Sequence, residues 1–462
     1  VSPTETDGDT APDVVRLCGE LIRFDTTNWG GGRARGERAC TEFVADTLRT
    51  AGWQPEILAR PDAPERTNLL LRVAGSEPEL AGVLVQGHLD VVPAEAEQWT
   101  HDPFAGEVAD GYLYGRGAQD MKDACAMSLS TLLQWARDGV RPRRDVLFAF
   151  VADEEDTGAY GAEWLVDTYP DRFAGIGCTI GESGGHCEAL RTATGEAVHL
   201  YPVACAERGS MHLRLTAHGA SGHGSRPTGA DAISRLLAAV TRLREYRWPL
   251  HLAPVVRAQL TESARALELP AEVVSDLAAT DEATAEAAVR AVIAALGDDA
   301  GPLPWTIRAS ATLTMLDAGY KVNVIPGMAT AEFDVRCPPG FVDQLDTTLA
   351  ELLGPQQGGA LAWEHSTYQP PVAAPLAGPW LAAIRRVIGE FDPLGTVIPG
   401  CLGGGTDAKA FARIGIPGYG FTPLGPDPEG RRSEGQHGVD ERVPVAGLVT
   451  GQQMLRRFLE TV

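Results

Sequence analysis

Two stretches limit what this chain can fold into more than any others: "GVLVQGHLDVV", residues 82–92, and "DVLFAFVADEE", residues 145–155. Each holds an apolar run of strand length. Such runs mark strands covered on both faces, which belong to parallel sheets flanked by helices. Each also leads into ionisable residues, His88 and Asp90 in the first, Glu154 and Glu155 in the second. An unpaired carboxylate beside a core strand is costly, so four such groups in these places are expected to work together. Positions i and i+2 of a strand face the same way, which predicts that the Asp90 carboxylate reaches the His88 ring.

Around these strands the pattern alternates. "DVVRLCGELIRF" and "RGERACTEFVADTLRTAGW" have helical spacing, "TNLLLRV" reads as a strand, and "DMKDACAMSLSTLLQWARDG" is a helix with Gly139 just past its end. Buried strands alternating with helices predict an α/β domain with a mostly parallel sheet. Near residue 209 the texture changes. "GSMHLRLTAHG", "ASATLTMLDAG" and "GMATAEFDVRC" alternate like half-exposed strands, with helices at "GADAISRLLAAVTRLREY" and through 265–297. This predicts an inserted α+β domain at 209–336, between two parts of the α/β domain at 1–208 and 337–462.

The 462 residues carry a formal net charge of -23, from 62 acidic and 39 basic side chains. That balance argues against nucleic acid or an anionic membrane as partner. The eight cysteines include no CxxC pair, so reduced thiols in a cytoplasmic protein are expected rather than a zinc ribbon or dithiol redox site. The polar stretch "VSPTETDGDTAPD" has no apolar core of a secretory leader. No apolar run approaches the ~18 residues of a membrane span.

Open α/β sheets gather ligands at the C-terminal ends of their strands, and more candidates fall at such points. Asp120 closes the loop "GRGAQD", Glu182 ends "IGCTIGE", and His437 sits in "EGQHGVDE" before the last helix. Singly these are ordinary: an Asp at a helix start is an N-cap, and a histidine in a polar loop means little. Together, carboxylates and imidazoles suit divalent cations, and a set without cysteine points to a catalytic rather than a structural zinc site.

The stretches "GHLDVVP", "WTHDPFAGEVADGYLYGRGAQDMK", "DEEDTGAYGAEWL", "GASGHGSRP", "YKVNVIPG", "FDVRCPP", "GGGTDAKAF" and "GQHGVDERV" run in order from residue 87 to about 442. In them the chain resembles the M20 family of metallopeptidases and aminoacylases, more closely its carboxypeptidase S and aminoacylase-1 branch. The resemblance implies a dinuclear-metal catalytic domain with an inserted lid and dimerisation domain. It implies two divalent ions per chain, with zinc expected and cobalt or manganese compatible with the same donors. Asp120 would bridge the ions, His88 and Glu182 would complete one, and Glu155 and His437 the other. Asp90 would hold the His88 ring, and Glu154 would be the general base. Asn323, Arg336 and the loop Gly404, Gly405, Thr406 would bind substrate, with the Arg fork suited to a carboxylate. His223 would reach the active site of the partner subunit in a homodimer. The implied substrate is an N-acyl amino acid or short peptide, cut at the amide next to a free carboxylate. Asp123 departs from the pattern, standing where the family usually has glycine, and the Glu182 loop "GESGG" with His186 and Cys187 is variable.

Two rival readings are open to test. "GESGG" also satisfies the nucleophile elbow of serine hydrolases, with Ser183 as nucleophile, but an elbow needs a helix directly after it. A non-catalytic binding protein of the same fold would be expected to show damage at the ligand positions, and none is damaged.

Overall fold

The computed structural model describes residues 13–227, 229–356, 359–427 and 435–462. The polar N-terminal stretch lies outside them. The two apolar runs are neighbouring parallel strands, Gly82–His88 and Val146–Val151, at the middle of a six-stranded sheet. Ile176–Gly181 and Gly418–Gly420 continue the sheet in parallel, while Thr67–Val73 and Glu56–Ala59 close the other edge antiparallel.

The strand period of two shows in the packing. Val146, Phe148 and Phe150 enter one core, Leu147, Ala149 and Val151 the other. The first core is shared with helices Asp13–Ile22, Arg38–Thr50, Lys122–Asp138 and Val445–Thr461. The second lies under Ala162–Thr168 and Ala408–Arg413. Helix Lys122–Asp138 stops where Gly139, at φ 66°, takes the left-handed conformation and returns its N–H to the Trp135 carbonyl. At the helix's other end the buried Lys122 ammonium donates to the Phe24 carbonyl at 2.8 Å.

A second sheet is antiparallel. Its strands Gly209–Ser210, Met328–Cys337, Leu213–His218 and Leu361–His365 run in that order, and Ser310–Ala318 pairs with Met328–Cys337. Helices Ala232–Glu245 and Val342–Leu353 cover one face around Phe333, Leu215 and Leu345. This packing departs from a division at 209–336 in two ways. Leu361–His365 hydrogen-bonds to Leu213–His218, so the antiparallel unit draws on residues beyond 336. The helices Pro254–Ala266, Ala271–Asp276 and Glu282–Leu296 instead turn Val256, Leu260, Leu277 and Val292 toward the larger core. An amphipathic helix announces an apolar face without naming what that face packs against.

Candidate metal centre

His88 ends its strand fully buried, and Asp90 lies two residues beyond it, also fully buried. The strand does not continue to Asp90, yet the Asp90 carboxylate still lies near the His88 ring. His88 Nδ1 is 2.9 Å from the Asp90 backbone carbonyl and 3.7 Å from its carboxylate. The Asp90 carboxylate instead accepts the N–H groups of Glu154 and Glu155, each at 3.2 Å, and the Asn28 amide at 2.9 Å. It therefore fixes the turn that presents both glutamates.

That turn follows strand Val146–Val151 and begins at Asp153, a non-glycine residue at φ 70°. Such a conformation persists when its surroundings over-determine it. Buried Asp153 accepts from Arg66 at 2.8 Å, Asn28 at 3.2 Å and the Tyr160 N–H at 3.3 Å. Arg66 in turn pairs with buried Glu37 at 3.0 Å. The loop carrying Asp120 is held by Glu441, whose carboxylate accepts the N–H groups of Gly117, Gln119 and Asp120 and the Arg116 guanidinium. Asn28, Arg66, Asp153 and Glu441 are not singled out by the sequence. Glu441 lies inside the quoted "GQHGVDERV", but only its contacts reveal what it does.

On this frame the ionisable groups meet. Asp120 turns one oxygen to His88 Nε2 at 3.0 Å and the other to His437 Nε2 at 3.2 Å. His437 Nε2 is also 3.2 Å from Glu155. Ligand atoms of His88, Asp120 and Glu155 lie within 4.8 Å of one another, as do those of His88, Glu154 and Glu182. Glu154 thus stands closer to the metal-type donors than a base set apart would, 4.0 Å from His88 Nε2.

Charge is concentrated here. Burial pushes Glu154 up to about 7, with the Glu155 and Asp120 carboxylates adding to it and His88 opposing. Burial likewise raises Glu182 well above the usual carboxylate range. Burial also acts on Asp120, but hydrogen bonds from His437 and His88 outweigh it and hold that carboxyl below its usual range. The same bonds, with Glu155, push His437 up to about 10. Glu155 Oε1 and Glu182 Oε1 are buried without a hydrogen-bond partner among the described residues. Four carboxylates face two imidazoles, with two oxygens unsatisfied. This donor set fits hard or borderline divalent cations, which would take the place of the imidazole protons.

The remaining predicted residues lie elsewhere. His223 lies in a two-stranded ribbon, Gly222–His223 against Val324–Ile325, and Asn323 just precedes the second strand, its carbonyl accepting the Gly224 N–H at 2.9 Å. His223 is exposed, and its Nδ1 bonds to Ser225 Oγ at 2.8 Å. Arg336, in strand Met328–Cys337, has its fork on Asp334 at 2.7 and 3.2 Å and Nη1 on Ser210 at 2.6 Å. Gly404 and Gly405 are exposed in the loop before helix Ala408–Arg413. Thr406 anchors that loop by two bonds to buried Glu207, at 2.7 and 2.9 Å. Ser183 has φ 72°, and strand Glu188–Arg191 follows where an elbow needs a helix. The serine-hydrolase alternative lacks its framework.

Among known proteins, human aminoacylase-1 is 27% identical over 431 residues, spanning 91% of this chain and 89% of that protein. The M20 family metallo-carboxypeptidase Sso-CP2 from Sulfolobus solfataricus has a similar fold, with a TM-score of 0.67 at 14% identity over 97% of this chain and 99% of its own. The YXEP protein of Bacillus subtilis, a dinuclear metal binding peptidase from the M20 family, gives 0.61 at 16% identity over 97% and 98%. Residues 84–461 match peptidase family M20/M25/M40. That match starts within the strand that ends in His88 and runs through the last helix, and on it this chain belongs to family M20/M25/M40 and is a hydrolytic enzyme.

Proposed function

We propose that the protein is a dinuclear, zinc-dependent amidohydrolase that cleaves an N-acyl amino acid or short peptide at the amide next to a free carboxylate. The observation that carries this reading is Asp120, whose two oxygens are shared between two different histidines, as a bridging ligand's would be. His88 and Glu182 would complete one ion, and Glu155 and His437 the other. Cobalt or manganese would suit the same donors. Divalent cations held there would supply Lewis acidity for amide hydrolysis. Glu154 accepts the water's proton and delivers it to the leaving nitrogen, a role suited to a carboxylate pushed up to about 7 by burial. Asp90 positions the Glu154–Glu155 turn. Arg336, Asn323 and the Gly404–Thr406 loop hold the substrate's carboxylate end.

The antiparallel unit acts as a lid and as the contact of a homodimer, bringing His223 to the partner subunit's active site. Strand Ser310–Ala318 is an edge strand, and Met315, Leu316, Tyr320, Val322 and Met328 are exposed on and around it. An apolar edge of this kind calls for a cover. All eight cysteines are free, which supports a cytoplasmic setting, and no helix among the described residues is long and apolar enough to cross a membrane.

A panel of dipeptides, N-acetyl and long-chain N-acyl amino acids, read for released amino acid, tests the reaction. Metal analysis tests the centre. The wild type should carry close to two divalent ions per chain and Asp120→Ala should lose both, with activity. Near-normal metal content in that variant would sink the bridging assignment.

A further inference from the structure

A cleft of about 320 Å³ opens beside Glu182, near the lower end of the ~300–1,000 Å³ typical of small-molecule sites. Its floor comes from the Glu182 loop and the start of helix Lys122–Asp138. Its far wall comes from the helical segment that packs against the larger core. Three acids outside the metal-type cluster border it, Asp123, Glu188 and Asp299, while no lysine or arginine does among the described residues. His186, the imidazole on its rim, is already engaged with Glu188 at 3.4 Å.

Two of the lining groups are buried polar side chains, one of them an acceptor with no donor. Asp123 is 1% exposed; its Oδ1 accepts the neighbouring Ala124 N–H at 2.8 Å, no cationic side chain pairs with it among the described residues, and burial raises its carboxyl well above the usual range, so a cation arriving beside it is what would favour the ionised form. On the opposite wall Gln259 is 9% exposed, and its Oε1 is buried with no hydrogen-bond partner. Leaving such acceptors unmet is costly, and a ligand bearing several N–H donors would meet them. An anionic group would meet no lysine or arginine among the described lining residues. Leu402 and Leu424 supply apolar wall between these polar points.

We propose that this cleft receives a substrate arm made of an aliphatic stem ending in an ammonium or guanidinium group, so that the enzyme selects cationic substrates. This rests on the amidohydrolase reading and names its substrate class. The acids here are separate from the metal-type donors, so the cleft sets preference and the centre sets chemistry.

Two matched substrate series test it by kcat/KM. One varies the acyl arm on a fixed amino acid, as hexanoyl, 6-aminohexanoyl or adipoyl. The other varies the side chain of an N-acetyl amino acid, as norleucine, lysine or 2-aminoadipate. In at least one series the ammonium member should exceed the neutral member by about tenfold or more, and the carboxylate member should be the poorest, because charge-assisted bonds form only in the first case. The series showing the preference identifies which arm enters the cleft. Asp123→Asn should cut the cationic-to-neutral ratio severalfold, whatever it does to the absolute rate. If that variant does not fold, Glu188→Gln, nearer the surface, carries the same test. Hydrolysis of the neutral members with equal or lower rates for both cationic ones overturns the proposal and leaves the amidohydrolase reading standing. Calorimetry of hexylammonium against hexanol on the metal-loaded protein separates the two questions. Stronger binding of hexylammonium, weakened by Asp123→Asn, supports the cleft assignment even if no amide is cut; equal binding overturns it.

Discussion

At the ends of the parallel strands, Asp120, Glu154, Glu155 and Glu182 crowd around His88, with contacts as short as 3.0 Å. On the antiparallel unit, Arg336 and His223 are each turned to a neighbour two residues away, Asp334 in one case and Ser225 in the other. The difference follows from topology. Parallel strands deliver their C-terminal ends to one edge of the sheet, so residues far apart in sequence meet without long side chains having to search. An antiparallel sheet with one solvated face leaves its polar residues on the surface, where local hydrogen bonds hold them until something better arrives. The first region is organised by the fold. On the proposed function, the second is completed by a substrate or a second chain.

Glu154→Gln should retain metal and fold yet lose about 10²–10⁴ in kcat, the usual contribution of a positioned general base. The measurement is steady-state kinetics beside metal analysis and circular dichroism. If activity stays within about tenfold, another group takes the proton, and the tight cluster is a binding site more than a catalytic one.

His223→Ala should cost about 10²–10³ if the imidazole donates to the oxyanion that forms at the attacked carbonyl. An exposed side chain with only a local partner cannot do this within the resting chain, so the loss should depend on the second subunit. Mixing inactive Glu154→Gln with inactive His223→Ala and allowing subunits to exchange should restore one working site per mixed dimer. Confirmed exchange with no recovered activity would remove His223 from the partner's site.

Metal loading should also respond to pH. Hydrogen bonds donated to the Asp120 and Glu155 carboxylates push His437 up to about 10, so at neutral pH its ring carries an additional proton that a metal must displace. Affinity should therefore rise with pH, by about tenfold per unit for each proton released, up to the region of that raised value. Titrations between pH 6 and 8 in buffers of different ionisation heat read the proton release directly, and His437→Gln should flatten the slope. A pH-independent affinity would mean that metal displaces no proton from His437.

The contrast also explains what was legible beforehand. His88, Glu154, Glu155 and Glu182 stood out because each interrupts or ends an apolar run, and a parallel sheet turns that linear pattern into proximity. The groups that fix them left no such trace. Asn28 reaches Asp90 across 62 residues from a polar loop, and Glu441 grips the Asp120 loop across 321; neither contact has a period or a run to betray it. Strand geometry places the Asp90 carboxylate beside the His88 ring, and it lies 3.7 Å from Nδ1; that its hydrogen bonds go to the Glu154–Glu155 turn is not legible, because the strand stops at His88. Helices Ala271–Asp276 and Glu282–Leu296 fall inside the stretch 265–297 that reads as helical, while Pro254–Ala266 begins before it; the partner of all three is not legible, since amphipathicity is a property of one segment and packing of two.

Arg336 gives the smallest effect and the sharpest test of the second region. Its Nε and Nη2 are already committed to Asp334, and Nη1 to Ser210 Oγ. A substrate carboxylate must therefore compete with Asp334 or take the N–H bonds the fork has left, so the interaction should stabilise the bound substrate modestly. Arg336→Lys keeps the charge but loses the planar fork; it should raise KM by roughly threefold to tenfold with kcat little changed, the pattern of lost uniform binding. Asp334→Asn should act in the opposite direction, freeing the fork and lowering KM for the same substrate. Amidating the substrate's carboxylate then separates the two roles. If Arg336 reads that carboxylate, amidation should penalise the wild type far more than Arg336→Lys. Equal penalties, with Asp334→Asn raising KM as well, would mean that Arg336 and Asp334 brace the lid sheet and that the carboxylate is read elsewhere.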